Sequence, residues 1–174
     1  MNKKFKLAFS ILLIFLFTGV SNSEEKQEAF NDHQINFHTG TFDYSDDGKK
    51  SGLFGFQHQN VSLNRKSFLG NLSPITGFIL TQDNASYLYT GVQAEYKIGK
   101  INFTPSFTPG YYNKGDGKDL GHALEFKSEI QLSLELPLES QLGISYNHLS
   151  NASLGSKNPG ANSYMFNLSR TISL

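Results

Sequence analysis

Leu142-Gly143-Ile144-Ser145-Tyr146-Asn147 alternates apolar residues with small or polar ones without a break. A period of two sends successive side chains to opposite faces of an extended strand. Leu142, Ile144 and Tyr146 therefore share one face, and Gly143, Ser145 and Asn147 share the other. Counting on, His148 and Ser150 fall on the apolar face and Leu149 on the polar one. The last segment keeps the same rhythm. Tyr164, Phe166, Leu168, Ile172 and Leu174 alternate with Met165, Asn167, Ser169, Thr171 and Ser173, and Arg170 is the one charge on the apolar face. So do Ile130, Leu132, Leu134, Leu136 and Leu138, and upstream Ile101, Phe103, Phe107 and Tyr111.

Eight such segments can be drawn, over 34–45, 52–63, 72–82, 86–98, 101–113, 122–137, 140–151 and 162–174. Turn-forming residues separate them: Asp46-Asp47-Gly48, Asn71, Asp83-Asn84, Gly99-Lys100, Gly115-Asp116-Gly117 and Asn158-Pro159-Gly160. In the first three segments Phe37, Phe42, Phe54, Phe56 and Ile79 do not hold one parity, so which face is apolar stays open there.

The chain begins with the positive stretch Asn2-Lys3-Lys4-Phe5-Lys6, then an apolar run from Leu7 to Phe17 broken only by Ser10. That run is roughly half the 20 or so residues a spanning helix needs. Ser21-Asn22-Ser23 supplies the small residues of a cleavage site. We expect a signal peptide over 1–23, an N-terminal periplasmic tail over 24–33 and one domain over 34–174. The chain has 15 basic and 15 acidic residues; cleavage removes Lys3, Lys4 and Lys6 and leaves an acidic balance, with no basic footprint for nucleic acid. There is no cysteine, so packing and backbone hydrogen bonds must close the fold.

A secreted soluble β-sandwich would alternate as well. Three features favour lipid: the export signal, segments as long as the roughly 9–11 residues of a bilayer crossing, and the polar set Lys127, Glu129, Gln131 and Glu135 on one strand, suited to a barrel lumen. Only a closed barrel satisfies the backbone of a sheet in hydrocarbon, and about eight is the smallest strand count of such barrels. The expected fold is all-β: an eight-stranded antiparallel transmembrane β-barrel of the outer membrane. An even strand count leaves both ends periplasmic. The turns near 64–71, 99–100 and 138–141 are then periplasmic, and the connections near 46–51, 83–85, 114–121 and 152–161 extracellular.

On this topology His148 and Ser150 point towards lipid near the outer leaflet. A neutral imidazole beside a hydroxyl can take its proton and later return it to a leaving group. By itself His-x-Ser is a weak signal, since polar side chains are also tolerated at a membrane rim.

The run His148-Leu149-Ser150-Asn151-Ala152, with Asn158-Pro159-Gly160-Ala161-Asn162-Ser163 after it and Leu124-Glu125-Phe126-Lys127-Ser128 before it, resembles the PagL-type lipid A deacylases. The resemblance spans about 122–174; upstream only the strand rhythm agrees. It implies a serine esterase on the outer wall of the barrel that removes the 3-O-linked acyl chain of lipid A or lipopolysaccharide, with no metal or other cofactor. Ser150 would be the nucleophile and His148 the general base. Asn151 and Asn158 would serve the oxyanion and the loop, Gly160 a tight return into the last strand, and Phe126 a substrate contact. Where family members carry an acid this chain has Asn162. Its amide oxygen can orient the histidine, as asparagine does in cysteine proteases, but cannot stabilise an imidazolium as a carboxylate does. A slow enzyme, one that borrows an acid such as Asp116 or Asp119, and an inactive scaffold all stay open; Glu129 and Glu135 have lumen parity and suit the role poorly. Homodimer formation is also left open.

The other histidines, His33, His38 and His58, are scattered and show no metal-ligand spacing; His122 has outward parity and reads as a rim residue. Gly115-Asp116-Gly117-Lys118-Asp119 lacks the ligand pattern of a calcium loop and reads as a solvated turn. The rivals to an esterase are a non-catalytic structural or adhesive barrel and a narrow pore, the latter disfavoured because side chains largely fill an interior of about eight strands.

Overall fold

The computed structural model describes residues 32–46 and 50–173. The expected signal peptide and residues 24–31 of the expected tail lie outside the described residues; Asp32 and His33, the last two of that tail, already belong to the first strand. The strands are β1 Asp32–Phe42, β2 Ser51–Asn60, β3 Arg65–Ser67, β4 Gly70–Thr81, β5 Ser86–Ala94, β6 Tyr96–Ile98, β7 Ile101–Asn113, β8 Leu124–Leu136, β9 Ser140–Ser150 and β10 Ala161–Ser173. All pairings are antiparallel, in the order β2-β1-β10-β9-β8-β7-β5-β4, and pairing of β2 with β4 closes the ring. β5 and β6 are one crossing interrupted at Glu95, and β3 is a short arm folded onto β4. Eight strands therefore make the barrel wall. β2 ends at Asn60, before the short turn Val61–Leu63 that the expected segment 52–63 had included, and the arm β3 falls within the expected turn near 64–71.

The alternation sorts the side chains as expected in the C-terminal half. Ile130, Leu132 and Leu134 of β8, Leu142 and Ile144 of β9, and Phe166 and Leu168 of β10 stand exposed on the outer wall. An apolar belt of that extent is an aggregation liability in water and a stable surface in hydrocarbon. Inward, Lys127 Nζ binds Glu129 Oε2 at 2.7 Å, and Gln93 joins Gln57 and Gln59 at 2.9 and 2.8 Å. A low-dielectric interior tolerates such polar groups because they satisfy one another.

The mixed parity of the first strands has a physical reason. Towards the end that carries the long connections the lumen is apolar, filled by Phe42, Leu53, Ile79, Tyr87, Tyr112, Leu120, Leu149 and Met165. Phe42 and Ile79 thus point inward, while Phe37 and Phe54 point outward. This plug supports the mouth at which β9 and β10 present their outward side chains.

Candidate active site

The end of β9 and the start of β10 build the site. Their register sets His148 against Asn162 on one outward face. The amide oxygen of Asn162 lies 2.8 Å from His148 Nδ1 and accepts the Tyr146 hydroxyl, also at 2.8 Å. Its Nδ2 donates to Ser45 Oγ at 3.2 Å. The rings of Tyr44, Tyr146 and Tyr164 gather beside these groups, 4.5 Å apart for Tyr44 and Tyr164 and 5.3 Å for Tyr146 and Tyr164. His148 is exposed on the wall and Ser150 half-buried. The structure thus brings His148 and Asn162 together as the spacing suggested.

Ser150 shares their face but not their bonds. Among the described residues no hydrogen bond joins Ser150 Oγ to the His148 ring. Residues two apart in a strand have Cα atoms roughly 6.6 Å apart, so both side chains must lean to meet, and such bonds commonly tighten only with substrate. Across the ladder Ser150 faces Phe126 of β8, whose ring stacks on Phe107 at 5.9 Å. Phe126 and Phe107 thus form an apolar surface beside Ser150.

After Ser150 the chain turns sharply. Ala152 and Ser153 have φ of 50° and 63°, a left-handed conformation that costs non-glycine residues free energy and needs support. Asn151 gives it: fully buried, its Nδ2 donates to Leu120 O at 2.7 Å and Lys157 O at 2.9 Å. Its backbone N–H donates to Asn158 Oδ1 at 3.1 Å. Both donors of the Asn151 side chain are held by the loop, so that side chain organises the loop. Asn158 is exposed, and its Nδ2 has no hydrogen-bond partner among the described residues.

Gly160 has φ of +63°, and a Cβ there would sit 2.9 Å from His148 Cε1. Glycine is needed twice, for the backbone and for the imidazole packed on it. Gly160→Ala is expected to displace the ring, and to lower by about tenfold the kcat of any reaction the imidazole serves. Steady-state kinetics of the folded variant checks this; an unchanged kcat would show the ring position to be unimportant.

The sequence offered Asp116 and Asp119 as substitute acids, and the structure gives them other partners. Asp116 Oδ2 accepts from Asn84 Nδ2 at 2.9 Å. Asp119 pairs with Lys157 at 3.0 Å, and that hydrogen-bonded ammonium, with the Gly121 N–H, holds its carboxyl below the usual range. His122, exposed before β8, accepts the Leu124 N–H at 2.9 Å. His33 and His58 contact each other at 2.8 Å, and His38 is buried in the lumen. Sequence reasoning missed Ser45 and Asp43, which approach Asn162 from just beyond β1, and the Tyr146 hydroxyl. Period-two counting had already put Tyr146 on the correct face; no motif marks the other two.

Fold and site define an outer-membrane β-barrel with ionisable and hydroxyl groups grouped on its lipid-facing wall. Residues 37–171 match the family model described as lipid A 3-O-deacylase (PagL), and the chain belongs to that family. Among solved structures, the outer membrane enzyme PagL is 17% identical, covering 80% of this chain and 99% of its own, with a TM-score of 0.61. A de novo designed transmembrane β-barrel is 9% identical, covering 84% and 99%, with a TM-score of 0.57. Neisserial surface protein A is 8% identical, covering 82% and 97%, with a TM-score of 0.50. At these identities the structural likeness establishes the fold, and the family match goes further. No curated protein matches the chain significantly.

Proposed function

We propose that the protein hydrolyses the ester-linked 3-O acyl chain of lipid A in the outer leaflet, with Ser150 as nucleophile and His148 as general base. The observation that carries this reading is the 2.8 Å contact of His148 Nδ1 with Asn162 Oδ1 on the lipid-facing wall, in a chain of the lipid A 3-O-deacylase family. An amide oxygen can only accept. His148 therefore donates from Nδ1 and keeps its lone pair on Nε2, the form a general base needs.

The reaction follows as acyl transfer. Nε2 takes the Ser150 proton as Oγ attacks the acyl carbonyl; the imidazolium then protonates the departing sugar oxygen, leaving an acyl-enzyme. Water, activated by the same imidazole, releases the fatty acid. The tetrahedral oxyanion requires donors in place beforehand, each worth about 10²–10³ in rate. The uncommitted Nδ2 of Asn158, whose Oδ1 is held by the N–H following Ser150, fits that role. Phe126 and Phe107 offer an apolar surface to the acyl chain.

Purified protein in detergent micelles, incubated with lipid A, is expected to release a free hydroxy fatty acid, read by mass spectrometry. A folded preparation that releases none would favour the second reading, a non-catalytic barrel on the same scaffold. The specific observation behind that reading is Asn162 itself, a neutral group where the family's acid is expected.

A further inference from the structure

We infer that Asp43 is a positioning residue for His148: acting through Ser45 and Asn162, its carboxylate dictates which nitrogen of the imidazole carries the proton. The inference rests on His148 being the base and says how a site with asparagine in the acid position keeps it one.

Donor and acceptor chemistry gives each link one preferred direction. Asp43 is fully buried where the chain leaves β1, with φ of 50°. Its Oδ2 pairs with Lys118 Nζ at 2.6 Å, and Lys118 also reaches Asp46 at 3.3 Å. Held as an ion pair, the carboxylate is acceptor-only. Ser45 Oγ lies 3.4 Å from Asp43 Oδ1, a long contact in which the hydroxyl can only be the donor. The Ser45 oxygen is then left to accept from Asn162, at 3.2 Å, which can only be done by Nδ2. With Nδ2 committed to Ser45, Oδ1 must face Tyr146 and His148, both at 2.8 Å. His148 Nδ1 must therefore carry a hydrogen.

Without an acceptor-only group at the far end, each link could reverse. The serine could donate to the amide oxygen, the amide could flip, and its NH₂ would then meet Nδ1 and demand the tautomer with the proton on Nε2, which is no base. The backbone supports the same arrangement. Asn162 N–H points at Asp43 Oδ1, 3.4 Å away, and the Tyr44 N–H donates to Asn162 O at 3.0 Å. A negative group at the end of the chain also polarises the links towards the histidine.

The test is ¹⁵N NMR of histidine-labelled, folded, full-length protein in micelles at a pH where imidazole is neutral, with His148 identified by the signals lost in His148→Gln. Wild type is expected to show the Nδ1–H form. Ser45→Ala leaves the Asp43–Lys118 pair in place and is expected to give a mixture of tautomers. Its kcat should fall about tenfold with KM within about twofold, as for removal of a group that orients a base from behind. Asp43→Asn should do the same or more. Asn162→Glu placed in Ser45→Ala should restore the Nδ1–H form, because a carboxylate needs no help to accept. The inference is overturned if both Ser45→Ala and Asp43→Asn keep the wild-type tautomer, or if Asp43→Asn fails to fold and Ser45→Ala keeps it. The readout is independent of turnover. A shifted tautomer in a protein that hydrolyses no lipid A would uphold the relay and sink the deacylase reading; hydrolysis with an unresponsive tautomer would sink the relay alone.

Discussion

Ser150→Ala is expected to lower the rate of acyl release by about 10⁴–10⁶-fold, the loss seen when the nucleophile of a serine hydrolase is removed. The change deletes one oxygen from a half-buried position at the end of β9, and no hydrogen bond of the described residues depends on it. The barrel should therefore assemble as in wild type, which heat-modifiable migration on gels would show. A folded Ser150→Ala protein that still works at the wild-type rate would remove Ser150 from the chemistry.

The second large effect is expected at Asn162. Asn162→Leu keeps the approximate volume but removes the acceptor for His148 Nδ1 and Tyr146 and the donor to Ser45. With the tautomer and the ring orientation both released, kcat should fall by about 10²–10³, less than the roughly 10⁴ lost by a serine protease whose acid becomes an amide. Asn162→Glu moves the other way. A carboxylate stabilises the imidazolium formed during the reaction, so kcat should rise by about tenfold or more. Kinetics of the two variants on one lipid A preparation would check both. If Asn162→Leu retained full activity, the third position would be idle.

The sequence carried most of the wall. Strands β8 and β9 were readable because their outward residues form an exposed apolar belt, so alternation runs without interruption from Ile130 to Leu134 and from Leu142 to Tyr146. The first strands were harder. Phe42 and Ile79 enter the apolar plug of the lumen, whereas Phe37 and Phe54 face outward, and one-dimensional parity cannot separate apolar-inward from apolar-outward. Glu95 interrupts one crossing, and β3 folds back on β4, without a signal that periodicity detects. At the site, His148, Ser150 and Asn162 were visible because they lie on one face of two strands joined by one loop. Asp43 and Ser45 were not. They lie 119 and 117 residues from Asn162 along the chain, and only closure of the barrel, which brings β1 beside β10, puts them together. The side-chain commitments of Asn151, Asp116 and Asp119 were likewise set by loop contacts with no short-range pattern.

The most direct test is positional mass mapping of lipid A from cells that make the protein, compared with cells that make Ser150→Ala. Loss of one ester-linked hydroxyacyl group from a 3-position, in the wild-type cells alone, is the expected result. Unchanged lipid A from cells with the barrel folded in their outer membrane, or loss of an acyl chain from another position, would contradict it.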